Sequence, residues 1–183
     1  MNIFVGSSSR DTQNAVYNAV AEEIGDFIVE NKHNYVFGGC EYGLMGKVYS
    51  VVSGAKDSKI YVVQAKAYAD DINSLDFDEA VIADTVNERK NAYTKYSDVL
   101  LFLPGGIGTI DEILTAIETR RNHEHNLPII IVNVCNFFDP LLKMLESIYA
   151  EGFADEKNKE CYFVATSIQE AKDYLQAIAH QYA

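Results

Sequence analysis

Apolar residues in this chain fall into short continuous runs, separated by longer stretches in which they recur every three or four positions. "NIFVG" is such a run, closing at Gly6. After it Val16, Val20, Ile24, Phe27 and Ile28 follow helical spacing, which predicts a helix over Thr12 to Glu30. "YVFGG" and "KIYVV" read as strands, with "LMGKVYSVVSGA" as the helix between them. "DEAVIAD" carries a weaker strand pattern, and "VNERKNAYTKY" reads as a short helix. "DVLLFLP" and "PIIIVNV" are continuous apolar runs, the pattern of strands buried on both faces. Helices are predicted over Ile110 to Asn122, over Pro140 to Ala150, and from "TSIQEA" onward, where Ser167 and Glu170 match a capping box.

This alternation predicts an α/β fold, a doubly wound parallel sheet with helices on both faces. Ligands of such sheets bind at the carboxyl ends of the strands, near a reversal of strand order. Three loops, "GSSSR", "GGCEYGLMG" and "PGGIGT", each follow a strand and are therefore expected on one edge. The last holds Gly105, Gly106 and Gly108 and is followed by Thr109, Asp111 and Glu112, so a close approach to its backbone is expected. A dinucleotide fingerprint fails because Asp111 stands where its third glycine belongs. A phosphate-binding P-loop around Gly46 and Lys47 fails at Glu41 and Val48.

With 183 residues and no break in composition or linker-like tract, one domain spanning 1–183 is expected. The net charge of −12 argues against nucleic acid as a partner but leaves room for a small anion held by local groups. Cys40, Cys135 and Cys161 show neither disulfide-framework nor zinc-ligand spacing. His123 and His125 lie two apart, which does not place two ligands on one helical face, so no metal site is expected. "MNIFVGSSSR" lacks a signal-peptide pattern and no apolar run reaches membrane-spanning length; a reduced, cytoplasmic protein is expected.

"PGGIGTIDE" matches the P-G-G-x-G-T-x-x-E signature of the LOG-like family, the cytokinin riboside 5′-monophosphate phosphoribohydrolases often labelled lysine decarboxylases. "GSSS", "FGG" with "GLMGKV", "ERK" and "SD" occur in the same order as in that family. The resemblance implies a Rossmann-like sheet that binds a nucleoside 5′-monophosphate and hydrolyses its N-glycosidic bond, with no cofactor, in a homodimer. It implies Arg89 and Glu112 as the catalytic pair. It implies nucleotide or phosphate contacts at Ser7, Ser8, Gly39, Gly43, Met45, Gly46, Lys90, Asp98, Gly105, Gly106, Gly108 and Thr109.

Each residue also has a plainer reading. Thr109 and Glu112 fit a capping box, which would fold Glu112 back onto the helix start. Arg89 and Lys90 would be a solvated helix face, Met45 a core residue, Asp98 a turn acid, and the serines and glycines simple turn formers. A non-catalytic nucleotide- or cofactor-binding carrier is the alternative function. Family members usually carry Trp and Gln where Thr119 and Arg121 stand, Pro where Gln64 ends its strand, and Met at Tyr93. Loss of the Trp predicts a pocket with less apolar wall for the base, and Arg121 is expected to favour a polar base edge or an acidic residue of a partner subunit.

Overall fold

The computed structural model describes residues 1–180. Seven parallel strands form one sheet, β1 (Asn2–Gly6), β2 (Asn34–Phe37), β3 (Ile60–Ala65), β4 (Glu79–Ala83), β5 (Val99–Phe102), β6 (Ile129–Val132) and β7 (Phe163–Ala165). Their spatial order is β4-β3-β2-β1-β5-β6-β7, so the winding reverses between β1 and β5. The helices are α1 (Ala15–Glu30), α2 (Gly43–Val52), α3 (Val86–Tyr96), α4 (Ile107–Arg121), α5 (Asp139–Ala150) and α6 (Ile168–Ala179). Among the described residues no helix is long and apolar enough to cross a membrane.

Alternation along the central strands divides the core. Ile3 and Val5 of β1 and Leu101 of β5 pack with Val20, Ile24 and Ile28 of α1 and Val48 of α2. Phe4, Leu100 and Phe102 face the other way, against Tyr93 of α3 and Ile113 and Ala116 of α4. Each central strand is therefore apolar on both faces, which is why its sequence shows no polar alternation.

Helix starts depart from the predicted ones for identifiable reasons. Asn14 caps α1, accepting from the Val16 and Tyr17 N–H groups at 3.0 and 3.4 Å, so Thr12 and Gln13 stay outside the helix. α4 begins at Ile107 rather than Ile110, with Gly106 in extended conformation at its N-cap. Thr109 thus lies inside the helix and is buried, so it cannot be the cap of a Thr109–Glu112 capping box. A complete capping box forms instead at α3, between Thr85 and Glu88. At α6, Ser167 accepts the Glu170 N–H, but the Glu170 carboxylate accepts from the Thr166 N–H and hydroxyl. β7 went unpredicted because three residues are too short to show a period.

Candidate active site

The reversal of strand order sets the loop after β1 beside the loop after β5. Leu103 N–H donates to the Gly6 carbonyl at 2.9 Å, and Ser8 N–H donates to the Pro104 carbonyl at 3.1 Å. The loop after β2 locks onto the same pair: Met45 N–H donates to Ser8 O at 3.1 Å, and Gly43 N–H to the Asp11 carboxylate at 3.0 Å. Gly43 has φ +68°, and a Cβ there would strike the Ser8 carbonyl and lie 2.7 Å from Arg10 N. Only glycine meets both demands. The three loops expected on one edge form one connected surface.

Above it, α4 presents its first turn. Starting at Ile107, the helix leaves the N–H groups of Ile107, Gly108 and Thr109 without an intrahelical acceptor. Gly106 and Gly108 have open space where a Cβ would stand, so a ligand can reach their backbone. Free N–H groups at the positive end of a helix attract phosphate. Ser7 lies alongside, 4% exposed, with its Oγ lacking a hydrogen-bond partner among the described residues. A buried hydroxyl without a partner is uncommon and marks a place where a ligand or water belongs.

Glu112, one turn along α4, leans across the end of β1. A Cβ on Gly6 would fall 3.1 Å from its Oε2 and 2.6 Å from the Phe102 ring, so Gly6 gives the carboxylate its room. Arg89 faces it from α3, with Nη2 3.7 Å from Glu112 Oε1. The two side chains are 19% and 12% exposed, so the pair is shielded from solvent. Burial pushes the Glu112 pKa up to about 7, against the pull of Arg89 and, less strongly, Lys90; Asp111 adds a smaller upward push. Burial, reinforced by the Glu112 charge, also keeps the neighbouring Tyr93 phenol protonated.

The remaining expected residues divide. Met45 lies near the site: its Sδ and Cε would sit 3.6 Å from a Cβ on Gly38, on the side where the Tyr93 hydroxyl also approaches. Lys90 is adjacent, but its ammonium is bound to the Asp111 carboxylate at 2.8 and 3.1 Å. Ser8, Gly39, Gly46 and Gly105 shape the loops by close packing. Ser8 Oγ donates to Arg10 O, Gly39 lies against Ile72 and Val62, Gly46 against the Glu41 carbonyl, and Gly105 against Thr109. Asp98 does not join them. It precedes β5, at the opposite edge of the sheet, where its carboxylate accepts the Asn2 N–H at 2.7 Å. Its placement is that of the turn acid, not of a ligand contact.

Beside Glu112 a cavity of about 310 Å³ runs between α3 and α4, walled in part by Lys90, Tyr93, Thr115, Thr119 and His125. Leu127 N–H donates to His125 Nδ1 at 3.1 Å, so Nε2 carries the hydrogen it directs at Thr119 Oγ1, 3.1 Å away. Burial lowers the His125 pKa, which favours this neutral form. Thr119 in turn donates to the Thr115 carbonyl at 2.8 Å. Thr119, where less apolar wall was expected, thus lines this cavity with its hydroxyl bonded within the protein. Arg121 is not part of that wall; it pairs with Glu118 on its own helix and borders a separate groove against α5. Within one chain Arg121 therefore does not line the cavity as a base-edge contact would; its other expected role, pairing with an acidic residue of a partner subunit, concerns a second chain. Among the described residues no group of three or more His, Cys, Asp or Glu side chains converges in a way that could hold a metal.

Sequence reading missed Gly6 as part of this site and treated Gln64 and Tyr93 only as departures from the family pattern. A glutamine closing the apolar run "KIYVVQA" was the available signal for Gln64. Gly6 could be read only as the end of a strand.

The family model described as possible lysine decarboxylase matches residues 45–175. The probable cytokinin riboside 5′-monophosphate phosphoribohydrolase LOG4 of Oryza sativa subsp. japonica is 29% identical over 168 residues, covering 92% of this chain and 73% of the relative. The cytokinin riboside 5′-monophosphate phosphoribohydrolase LOG5 of Arabidopsis thaliana is 27% identical, covering 96% and 76%. Among solved structures, the molybdenum cofactor carrier protein of Chlamydomonas reinhardtii superposes with a TM-score of 0.71 at 17% identity, covering 98% of both chains. That likeness establishes the Rossmann-like α/β fold. The chain belongs to the LOG-type family that the possible lysine decarboxylase model describes.

Proposed function

We propose that this protein hydrolyses the N-glycosidic bond of a nucleoside 5′-monophosphate of the AMP type, releasing free base and ribose 5-phosphate. The observation that carries the reading is the buried Glu112 carboxylate, faced by Arg89 and lying one turn beyond a helix start open to phosphate. The phosphate occupies the N–H groups of Ile107 to Thr109, with Ser7 as a further donor, which brings the ribose over Glu112. As the C1′–N bond breaks, its electrons leave with the base and positive charge builds on the ribose ring. Ionised Glu112 stabilises that charge and accepts a proton from the water that adds to C1′; the departing base takes up one proton from solvent and Glu112 then returns its own to solvent, so water is split between ribose 5-phosphate and base. A carboxyl group with a pKa of about 7 exchanges protons readily near neutral pH.

Carrier proteins of this fold give the second reading, a binding protein without turnover. Purified protein incubated with AMP, with free base followed by chromatography, separates the two. Steady release of adenine is expected; tight binding with no base released would establish the carrier. The same assay compares AMP with an N6-prenylated nucleotide. Phe4, Leu100 and Phe102 line one side of the cavity beside Glu112, but α4 faces it with Thr115, Ala116 and Thr119 and no large apolar side chain, so AMP is expected to match or exceed the prenylated nucleotide in kcat/KM. A preference above about tenfold for the prenylated substrate, roughly 1.4 kcal/mol, would contradict that assignment of the wall.

The family resemblance also leads us to propose a homodimer, with the α4–α5 groove as its contact. Leu114, Ile148 and Tyr149 line this groove, and Phe153 beside them is 82% exposed. The contact helix α4 is the one that carries Glu112, so a partner would bear directly on the site. Light scattering is expected to give twice the chain mass of 20.4 kDa and to fall toward that mass in Phe153→Asp. A fully active wild-type monomer would overturn the proposal.

A further inference from the structure

At the carboxyl end of β3, Gln64 links three elements from a buried position. Its Nε2 donates to the Gly38 carbonyl beyond β2 at 2.7 Å. Its Oε1 accepts from the Ala65 N–H and from Arg89 Nη1, both at 2.9 Å. A guanidinium is planar with five donors in fixed directions, so fixing one nitrogen constrains the others. With Nη1 on Gln64, the edge formed by Nε and Nη2 is left over. That edge takes two oxygens of a carboxylate or phosphate side by side. Nε is buried with no partner among the described residues, and Nη2 lies 3.7 Å from Glu112, too far for a hydrogen bond. The Tyr93 ring, 5.7 Å from the guanidinium carbon, bounds it on one face.

We propose that Gln64 is a positioning residue: by holding Nη1 of Arg89 it turns the Nε–Nη2 edge toward Glu112 and toward an anionic oxygen of the ligand. A neutral amide suits the task. It accepts from Arg89 without neutralising it, so the positive charge remains available to Glu112. A carboxylate at position 64 would compete with Glu112 for that charge, and an aliphatic side chain would leave Nη1 with no acceptor.

The catalytic part of this inference rests on the hydrolase reading above; the positioning of Arg89 can be tested without it. Glu112 is faced from α3 by Arg89, Lys90 and Tyr93 and from its own helix by Asp111, while β1 meets it with Gly6. Loosening Arg89 therefore registers in the Glu112 titration. Gln64→Met keeps similar volume without the acceptor, and Gln64→Asn keeps the amide on a shorter arm as a second variant should the first not fold. The carboxyl carbon of Glu112 is titrated by NMR in the free protein and assigned by its loss in Glu112→Gln. Its midpoint is expected to rise by about 0.5 pH unit or more in either variant. With AMP, kcat is expected to fall about tenfold, the scale of one hydrogen bond to a charged group, with KM changed less. A folded variant with an unmoved Glu112 midpoint overturns the proposal, even if its Tm has dropped, because Gln64 then serves only packing. A wild type that releases no base while the variants shift the midpoint refutes the hydrolase reading and supports the positioning role.

Discussion

Glu112→Gln is expected to lower kcat by about 10²- to 10⁴-fold, the range for losing a positioned acid–base group, while the nucleotide still binds. The same substitution is expected to stabilise the protein, and the sign follows from linkage. Glu112 has a folded-state pKa of about 7 against an ordinary value of 4.5, so between those values the folded state holds the proton more tightly than the unfolded state. Stability from this group is therefore greatest below pH 4.5 and is lost as pH rises toward 7, by up to roughly 3 kcal/mol. Glutamine cannot ionise and escapes that loss. Glu112→Gln should exceed the wild type in Tm by several degrees at pH 8 and by much less at pH 5. Scanning calorimetry at the two pH values measures it, alongside the rate assay. A variant that is inactive but no more stable at pH 8 would mean that the wild-type carboxylate ionises at an ordinary pKa. Near-normal turnover would remove Glu112 from the chemistry altogether.

A carboxylate kept at a cost to folding is a local conflict that the sequence could show only in part. Glu112 was legible as a candidate because it follows three glycines and a signature, yet spacing alone fitted a capping box equally well. The choice depends on where α4 starts, and that start is set by Gly106 and by the packing of Gly105 onto Thr109, contacts that no period records. The central strands were legible for a plainer reason. A strand such as β5, enclosed by helices on both faces, must be continuously apolar, and "VLLF" is. Asp98 sits near the signature in sequence, but β5 carries the chain across the sheet between them, so the two end on opposite edges. Gln64 is the reverse case. Twenty-five positions separate it from Arg89, and only the parallel pairing of β3 beside β2 and the return of α3 over the sheet bring them within 2.9 Å.

Arg89→Ala should show what that meeting accomplishes, and the expected result is a fall in kcat/KM of roughly 10- to 100-fold at pH 7 from the lost charged hydrogen bonds alone. The loss should depend on pH. Arg89 is the largest influence pulling the Glu112 pKa down, so without it the pKa rises above about 7 and a smaller fraction of Glu112 is ionised at neutrality. Because the reaction uses the ionised form, the acid limb of the kcat/KM profile moves to higher pH and part of the activity returns near pH 9. Folding should follow the same logic. Removing one partner of a buried ion pair usually costs about 3–5 kcal/mol, but Glu112 can avoid most of that by taking up a proton. The variant should therefore be nearly as stable as the wild type at pH 5 and fall behind it as pH rises. Arg89→Lys restores charge without the planar fork, and is expected to recover the position of the acid limb better than the rate, since an ammonium cannot occupy Gln64 and a ligand oxygen in the same geometry. If Arg89→Ala instead raises KM alone, with the acid limb and the pH dependence of Tm unchanged, Arg89 acts on the substrate phosphate and Glu112 holds its charge without help from it.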